Sequence, residues 1–388
     1  MRVLLVTESY WPNPDGGAQF TRRLVQGLCS DGNSVSVWAP GRKLHSFKQK
    51  DKISIIYREK SIPFLLHLES RMSFFPFFRS RRIFEESKPD VIHIHFPTLM
   101  GLLSIGAARR RGIPIIATNH FMPENLLYNL GLKPRHFAYK TLDAICWQYI
   151  RWYYKKVDFL TSPTPTAINL LRKHNVKGPM RAISNGVDVA SYSKATASKA
   201  RIKYNIPSNR PVVLYFGRVD KEKNIDVIVR AAAEAMLNSD LHLVIAGRGN
   251  DESRLKKLAK KLNIYEKSTF TGYVPDLIKA SLIKAGSVFV ISSPSELQSI
   301  VSLEAMSCSK PIIAANSTAL PELVDSGVNG YLFKPGNSHD LAVKISKLTS
   351  SQARMDKFGR ASLLKVTSRH SNRATLDQFE EIYRLVIK

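Results

Sequence analysis

The 388 residues carry 58 Lys and Arg against 31 Asp and Glu, a formal charge of +27, with 44% hydrophobic and 23% charged residues. That is the composition of a folded soluble chain, long enough for two hydrophobic cores. No stretch approaches the ~20 apolar residues of a bilayer-spanning helix, and the N-terminal apolar run breaks at Glu8, which argues against a signal peptide. Cys29, Cys146 and Cys308 make neither a C-x-x-C pair nor a metal-ligand cluster, so a reduced, cytoplasmic chain is expected. Residues 1–185 hold 28 basic and 12 acidic side chains. Such an excess points to a polyanion, which composition leaves open between nucleic acid, an anionic membrane surface and a generally basic proteome.

Arg2-Val-Leu-Leu-Val-Thr7 reads as a buried parallel strand. A loop rich in Pro, Asn and Gly follows, ending in Gly16-Gly17, and then a helical pattern over 18–30. Strand signals recur at 34–39, 91–95, 113–118, 159–161 and 181–183, with helical stretches between most of them. Strands alternating with helices predict a doubly wound parallel sheet. Asn185-Gly-Val-Asp188 reads as a turn, and the Lys/Ser/Ala-rich stretch after it as a linker. The pattern restarts at 211–216 and continues through 241–246, 269–271, 287–291, 311–315 and 330–333. Two helical segments close the chain, and the last, 373–387, is placed to cross back onto the first half. The fold class is α/β, with two similar Rossmann-like halves.

Two segments mix aromatic and basic residues. In 60–85, Phe74, Phe75, Phe77 and Phe78 are interleaved with Arg71, Arg79, Arg81 and Arg82, and 133–156 repeats the mixture. An interfacial surface uses such rings with snorkelling cations. Core packing with solvated charges accounts for the same pattern, and is the reading taken for 133–156.

Ligands of doubly wound sheets bind outside the carboxyl ends of the strands. The loops expected there carry Gly16-Gly17 at a helix entrance, His120 after the 113–118 strand, and Gly217-Arg218 through Lys223 after the 211–216 strand. Gly247 and Gly272-Tyr273-Val274 end the next two strands. Glu296 lies in a Ser/Pro loop before a helix expected to start near Ser299, and Glu304 lies within it. A helix N-terminus flanked by two cations suits phosphates, and the two carboxylates suit hydroxyls. Any one of these loops taken alone is ordinary.

Together they resemble the GT-B glycosyltransferases of family 4, retaining enzymes that use nucleotide sugars. The specific marks are Gly217-Arg-x4-Lys223 and Glu296-x7-Glu304, followed by Ala-Met-x-Cys-x-Lys-Pro at 305–311. Gly16-Gly17, Asn185-Gly-Val-Asp188, and Pro321-Glu-Leu-Val324 before Asn329-Gly330 support them, so the resemblance covers nearly the whole chain. It implies two Rossmann-like domains facing each other across a cleft. Residues 1–185 would form the acceptor-side domain, with helix 371–388 returning to it, and 186–370 the nucleotide-sugar domain. By the same resemblance Arg218 and Lys223 hold the donor diphosphate, Glu304 the ribose hydroxyls and Glu296 hydroxyls of the transferred sugar. The backbone near Tyr273 and Val274 would meet the base, the backbone N–H groups of Gln298, Ser299, Ile300 and Val301 would face the phosphates and sugar, and Gly247 and Leu297 would also belong to the donor site. Gly16 and Gly17 would meet the diphosphate, and His120 the transferred sugar. His120, Glu296, Arg218 and Lys223 are thus the catalytic candidates. No Asp-x-Asp pair occurs, so neither metal nor cofactor is expected.

The family usually has glycine where this chain has Ser299 and Ser309; Ser299 can instead cap the helix. Basic charge, the 60–85 segment and Gln298, seen in some glycolipid-forming relatives, suggest transfer of a hexose from a UDP- or GDP-sugar to a lipid such as diacylglycerol or phosphatidylinositol. The enzyme would then sit peripherally on the inner face of the cell membrane, against an anionic surface. The alternative is the same chemistry on a soluble or polysaccharide acceptor. A catalytically inactive nucleic-acid-binding protein would explain the charge, but not cations and carboxylates kept at the donor positions, and no nucleic-acid partner is expected.

Overall fold

The computed structural model describes residues 1–13, 16–43, 45–51, 53–64, 67–73, 79–129 and 137–388. Two compact units divide the chain: Met1–Asn185 with Asn372–Lys388, and Gly186–Ser371.

In the first unit the strands run β1 (Arg2–Val6), β2 (Ser34–Pro40), β3 (Phe47–Lys50), β4 (Ile55–Glu59), β5 (Ser61–Phe64) and β6 (His67–Ser73). They continue as β7 (Val91–Ile94), β8 (Ile115–Thr118), β9 (Phe159–Ser162) and β10 (Met180–Ala182). Eight form one sheet in the order β10-β9-β8-β7-β1-β2-β4-β3, while β5 and β6 pair separately. All pairings in the large sheet are parallel except β3 with β4. The first strand shows why a continuous apolar run marks such a sheet. Leu4 and Val6 enter the core on one face with Trp38, Ile92 and Ile94. Val3 and Leu5 enter the core on the other face with Val35 and Val37. The C-terminal helix Asn372–Ile387 covers that second face through Leu376, Phe379 and Tyr383, spaced three and four residues apart on one side of the helix. Its approach is close: a Cβ on Gly27 would meet Leu376 Cδ2 at 2.8 Å.

The second unit holds β11 (Val212–Phe216), β12 (His242–Ala246), β13 (Ser268–Phe270), β14 (Val288–Ile291), β15 (Ile312–Ala315) and β16 (Gly330–Phe333), in the order β13-β12-β11-β14-β15-β16. Every pairing is parallel, and one core runs through both faces.

Three expectations are corrected here. The stretch after Asp188 is no linker: it forms helices Val189–Ser193 and Ser198–Tyr204, and Ala200 is fully buried, its N–H donating to Ser281 Oγ at 3.0 Å. Second, residues 47–73 contain four strands that the sequence does not announce, because β3 is a polar edge strand whose exposure alternates. Third, helix Phe137–Tyr154 buries Trp147, Ile150, Tyr153 and Tyr154 but leaves Tyr149 and Trp152 exposed, so core packing accounts for only one of its faces.

The two serines at customary glycine positions differ in backbone. Ser299 has φ −84 and its hydroxyl accepts from Ser302 N–H, the capping bond that serine supplies and glycine does not. Ser309 sits at φ +57, a left-handed conformation that costs a side-chain-bearing residue about 1 kcal/mol. Ser309→Gly is therefore expected to raise the unfolding free energy by up to ~1 kcal/mol in urea titrations. Ser299→Gly should lower it by a few tenths. A destabilised Ser309→Gly would overturn the strain assignment.

Candidate functional site

In the second unit the chain leaves β11 toward β12 and β13 on one side, and later returns to place β14, β15 and β16 on the other. The strand order thus reverses between β11 and β14, and a crevice opens outside their carboxyl ends. The loops bordering it are laced together. Gly217 N–H donates to Ala246 O and Gly247 N–H to Gly272 O, both at 3.0 Å. Gly247 has φ +123, and a Cβ there would lie 1.8 Å from Gly217 O, so only glycine fits. Tyr215 OH donates to Arg218 O at 2.7 Å and fixes the start of the loop.

Lys223 ends a short 3-10 turn, Lys221–Lys223, and its Nζ donates to Glu296 Oε1 at 2.8 Å across the crevice. Both side chains are about five-sixths buried. Arg218 is half-exposed and pairs with Asp220 at 2.7 Å and with Glu222. The Glu296 loop is tied to the next one, its N–H donating to Thr318 Oγ1 at 3.0 Å. Helix Ile300–Ser307 then begins, and by position the N–H groups of Ile300 and Val301 lack intrahelical acceptors. Leu297 is partly exposed, whereas Gln298 and Ser299 are buried beneath it.

Glu304 is almost fully buried. Its Oε1 accepts from Tyr192 OH at 2.8 Å and Lys279 Nζ at 2.6 Å, while Oε2 is buried with no partner. Lys279 Nζ also lies 5.4 Å from the Phe216 ring centre, which brings this cluster to the end of β11. A buried carboxylate oxygen left free is an acceptor held ready for a ligand hydroxyl. Tyr192 and Lys279 are missed by sequence reasoning, since neither stands near Glu304 in the chain. The signal for Tyr192 is Asp188, whose carboxylate caps the helix that carries it. Farther along the rim, Tyr273 is exposed with the Arg248 guanidinium 5.3 Å from its ring centre, and Val274 is buried.

Gly16, Gly17 and His120 belong to the first unit. Gly16 opens helix Gly16–Ser30, and Gly17 O accepts from Thr21 Oγ1 at 2.8 Å. His120 follows β8 and is half-buried beside Phe20 and Phe96. It joins two further histidines. His120 stacks on His95 with ring planes 13° apart, and His95 lies 4.3 Å from His93, centre to centre. His93 is held between Tyr383 OH at 2.7 Å and Thr118 Oγ1 at 2.6 Å, whereas His95 Nε2 is buried with no partner. The signal for this pair is His93-Ile-His95, two residues on one face of β7 near its carboxyl end. Burial pushes His120 down to about 4; burial and then the neighbouring His120 bring His93 to about 3. Burial and its two neighbours hold His95 well below the ordinary range. At neutral pH all three exchange hydrogen bonds without carrying charge.

Only part of the segment expected to contact a membrane lies among the described residues. Phe74, Phe75, Phe77 and Phe78 lie outside the described residues. Arg71 donates to the Ser61 hydroxyl and carbonyl at 2.8 and 2.7 Å, and Arg79 to Arg58 O at 2.9 Å, so these two turn inward and correct the expectation of a free basic surface. Arg81 and Arg82 are exposed but paired with Glu85 and Glu86 on the same helix turn. Among the described residues, no cluster of three His, Cys, Asp or Glu could hold a metal.

Residues 14–191 match the family described as Glycosyltransferase Family 4, and residues 197–363 that described as Glycosyl transferases group 1. The alpha-monoglucosyldiacylglycerol synthase of Streptococcus pneumoniae is 29% identical over 89% of this chain and 77% of its own length. The GDP-mannose-dependent alpha-mannosyltransferase of Mycolicibacterium smegmatis is 26% identical over 95% and 94%. Among solved structures, sucrose-phosphate synthase from Thermosynechococcus elongatus has a TM-score of 0.80 at 19% identity, covering 99% of both chains, a likeness of fold.

The histidine row gives a pH dependence with a defined sign. Folded values below the ~6.5 of an unfolded histidine mean that the unfolded chain binds more protons in acid. The stability is complete above pH ~6.5 and is lost as pH falls, by about 1.4 kcal/mol per pH unit for each histidine still neutral in the fold. The loss from His120 ends near pH 4 and that from His93 near pH 3. Urea midpoints measured from pH 7.5 to 4 should therefore fall steeply below 6.5, and less steeply in His120→Asn. Parallel profiles for the two proteins would contradict the assignment.

Proposed function

The chain belongs to the family 4 glycosyltransferases of the GT-B fold, and from that premise we propose that this retaining hexosyltransferase moves its sugar from a nucleotide diphosphate sugar to a hydroxyl of a membrane lipid. The observation that carries the donor reading is the Lys223–Glu296 pair, 2.8 Å apart at the reversal of strand order, with Arg218 beside it. In the ligand-free chain each cation is held by carboxylates. A diphosphate entering the crevice would take Lys223 from Glu296 and Arg218 from Asp220 and Glu222, and so free Glu296 to accept from sugar hydroxyls. Two fixed cations and the first turn of helix Ile300–Ser307 then stabilise the charge that grows on the diphosphate as its bond to the anomeric carbon breaks. The new bond to the acceptor oxygen forms with the anomeric configuration kept, and the proton of the acceptor hydroxyl passes to the departing diphosphate. Glu304 Oε2 would take a ribose hydroxyl.

Support for a lipid acceptor comes from the diacylglycerol named for the streptococcal relative, matched over most of this chain. Among the described residues no helix is long and apolar enough to cross a membrane, so contact with a bilayer would be peripheral. We place that contact on the exposed face of helix Ser80–Ser87, where Arg81 and Arg82 project. The inward turn of Arg71 and Arg79 and the carboxylates beside Arg81 and Arg82 favour the second reading, a soluble or polysaccharide acceptor. Flotation with phosphatidylglycerol vesicles decides between them. Loss of flotation in high salt and in Arg81→Gln/Arg82→Gln supports the lipid reading, and failure of the wild type to float removes it.

Arg218→Ala and Lys223→Ala are expected to lower the transfer rate by roughly 10²-fold or more with the circular dichroism spectrum unchanged. Calorimetry with UDP and GDP should separate the two carboxylates. Glu304→Gln weakens the nucleoside diphosphate. Glu296→Gln leaves it unchanged or tighter, because Lys223 loses a competitor, yet impairs transfer. Equal losses of nucleotide affinity would refute this division. An α donor should yield an α product, and activity should persist in EDTA.

A further inference from the structure

At the end of the second sheet opposite the donor crevice, β11, β14 and β15 begin at Val212, Val288 and Ile312. The residues just before them, Pro211, Ser287 and Pro311, open onto a cavity of about 340 Å3. Arg201, Arg210, Lys284 and Lys310 line it, with Asp356 as the one carboxylate among its described residues. The cations are short of partners. Arg201 Nε and Arg210 Nε are buried with none, although Arg210 spends another nitrogen on Asp240 at 2.8 Å. Lys284 reaches only the Cys308 carbonyl, at 3.3 Å. Asp356 accepts from Gln352 at 2.8 Å. Burial, followed by the charge of Lys284, pushes the Lys310 ammonium down to about 8; Cys308 opposes this, Arg201 adds to it and Asp356 opposes it more weakly. Four like charges around one space, two with buried N–H groups unused, repel one another unless an anion lies between them.

Ser309, the residue held at φ +57, also lines this cavity. A side chain kept in a left-handed conformation where glycine would relax the backbone is the kind of local strain that functional sites hold. Its hydroxyl is the kind of neutral donor that completes an oxyanion site built from guanidinium and ammonium groups.

We propose that this cavity binds the phosphate group of a small soluble phosphate monoester, at a site separate from the donor crevice. Arg201 and Arg210 offer guanidinium N–H groups, Lys284 and Lys310 supply compact charge, and Ser309 adds a hydroxyl. The volume exceeds that of one phosphate and leaves room for a small organic body. The site lies at the amino ends of the strands whose carboxyl ends carry Lys223 and Glu296, and it stands whatever sugar or acceptor the enzyme uses.

Inorganic phosphate and glycerol 3-phosphate, each titrated at ionic strength fixed with chloride, are the probes. Thermal unfolding and calorimetry are the readouts. The wild type is expected to show one saturable site and a rising midpoint, with glycerol 3-phosphate binding at least as tightly as phosphate. Lys310→Met and Arg201→Gln should each keep or raise the midpoint without phosphate, since each relieves repulsion, and lose at least tenfold in affinity. Lys223→Ala, which alters the donor crevice, should retain the effect. Ser309→Gly provides a milder variant that keeps every charge and should bind severalfold more weakly. The proposal is overturned if the wild type shows no saturable shift, or if binding survives in Lys310→Met and Arg201→Gln but is lost in Lys223→Ala. Displacement of bound phosphate by phosphatidic acid vesicles but not by phosphatidylcholine vesicles would also overturn it, by moving the phosphate onto a lipid.

Discussion

Lys223 and Glu296 are 73 residues apart in the chain and 2.8 Å apart in the fold. That contact requires β11 and β14 to be parallel neighbours, in the register that pairs Val213 with Val288 and Leu214 with Phe289. Parallel neighbours require a crossover, and here the crossover includes β12, β13 and their helices, which fill the other side of β11. The first strand of the unit therefore lies in the middle of its sheet, and the crevice is a consequence of that path. The first unit repeats the arrangement, with β1 between β7 and β2, so Gly16, His95 and His120 likewise follow the carboxyl ends of central strands.

Within the crevice the balance of charge matters more than any one pair. Lys223 is shared between Glu296 and Glu222, and Arg218 between Asp220 and Glu222. Partly buried cations left unpaired would lower stability and drift from position. Carboxylates on the same loops hold them in place, and under the proposed function a diphosphate, with more charge and more acceptor oxygens, would displace those carboxylates. Glu304 follows the opposite scheme: Tyr192 and Lys279 hold one oxygen, and the other is buried with no partner among the described residues, the atom to which the proposed function gives a ribose hydroxyl. On that reading one carboxylate would be released by binding, and the other is oriented before it.

Most strands with both sheet faces covered were legible, because Leu4, Ile92, Val213 or Phe289 have no solvent side to betray with a polar residue, but buried β4 was not, since it carries Arg58 and Glu59. β3 was not, since Lys48 and Lys50 on an edge look like loop residues, and the helices at 189–204 were not, since Lys and Ser on their outer faces resemble a linker. At the site, Arg218, Lys223 and Glu296 could be read because they lie in loops that follow strand ends, and Glu304 because it stands at a fixed spacing from Glu296 within the next helix. Tyr192, Lys279 and His95 could not, because their roles are set by a partner distant in the chain. Ser299 was legible as a cap from its place before the helix. The left-handed backbone of Ser309 was foreshadowed only by the glycine that usually stands there.

The excess of 58 basic over 31 acidic side chains does not by itself locate a polyanion. Much of the surface charge is matched nearby: Arg2 with Asp90, Arg81 with Glu85, Arg82 with Glu86, Arg109 with Asp158 and Arg181 with Glu381. Such exposed pairs contribute little and are screened by salt. What distinguishes a ligand site is a cation whose partner is missing or replaceable in a place that water does not fill. The second sheet has both kinds, at opposite ends of the same strands. At the carboxyl ends the cations have acidic stand-ins that a diphosphate can replace. At the amino ends Arg210 keeps one ion pair with Asp240, while Arg201 Nε and Arg210 Nε are buried with no partner among the described residues. A parallel sheet makes this separation possible, because its two ends are built from different loops and can be tuned independently while sharing one rigid core.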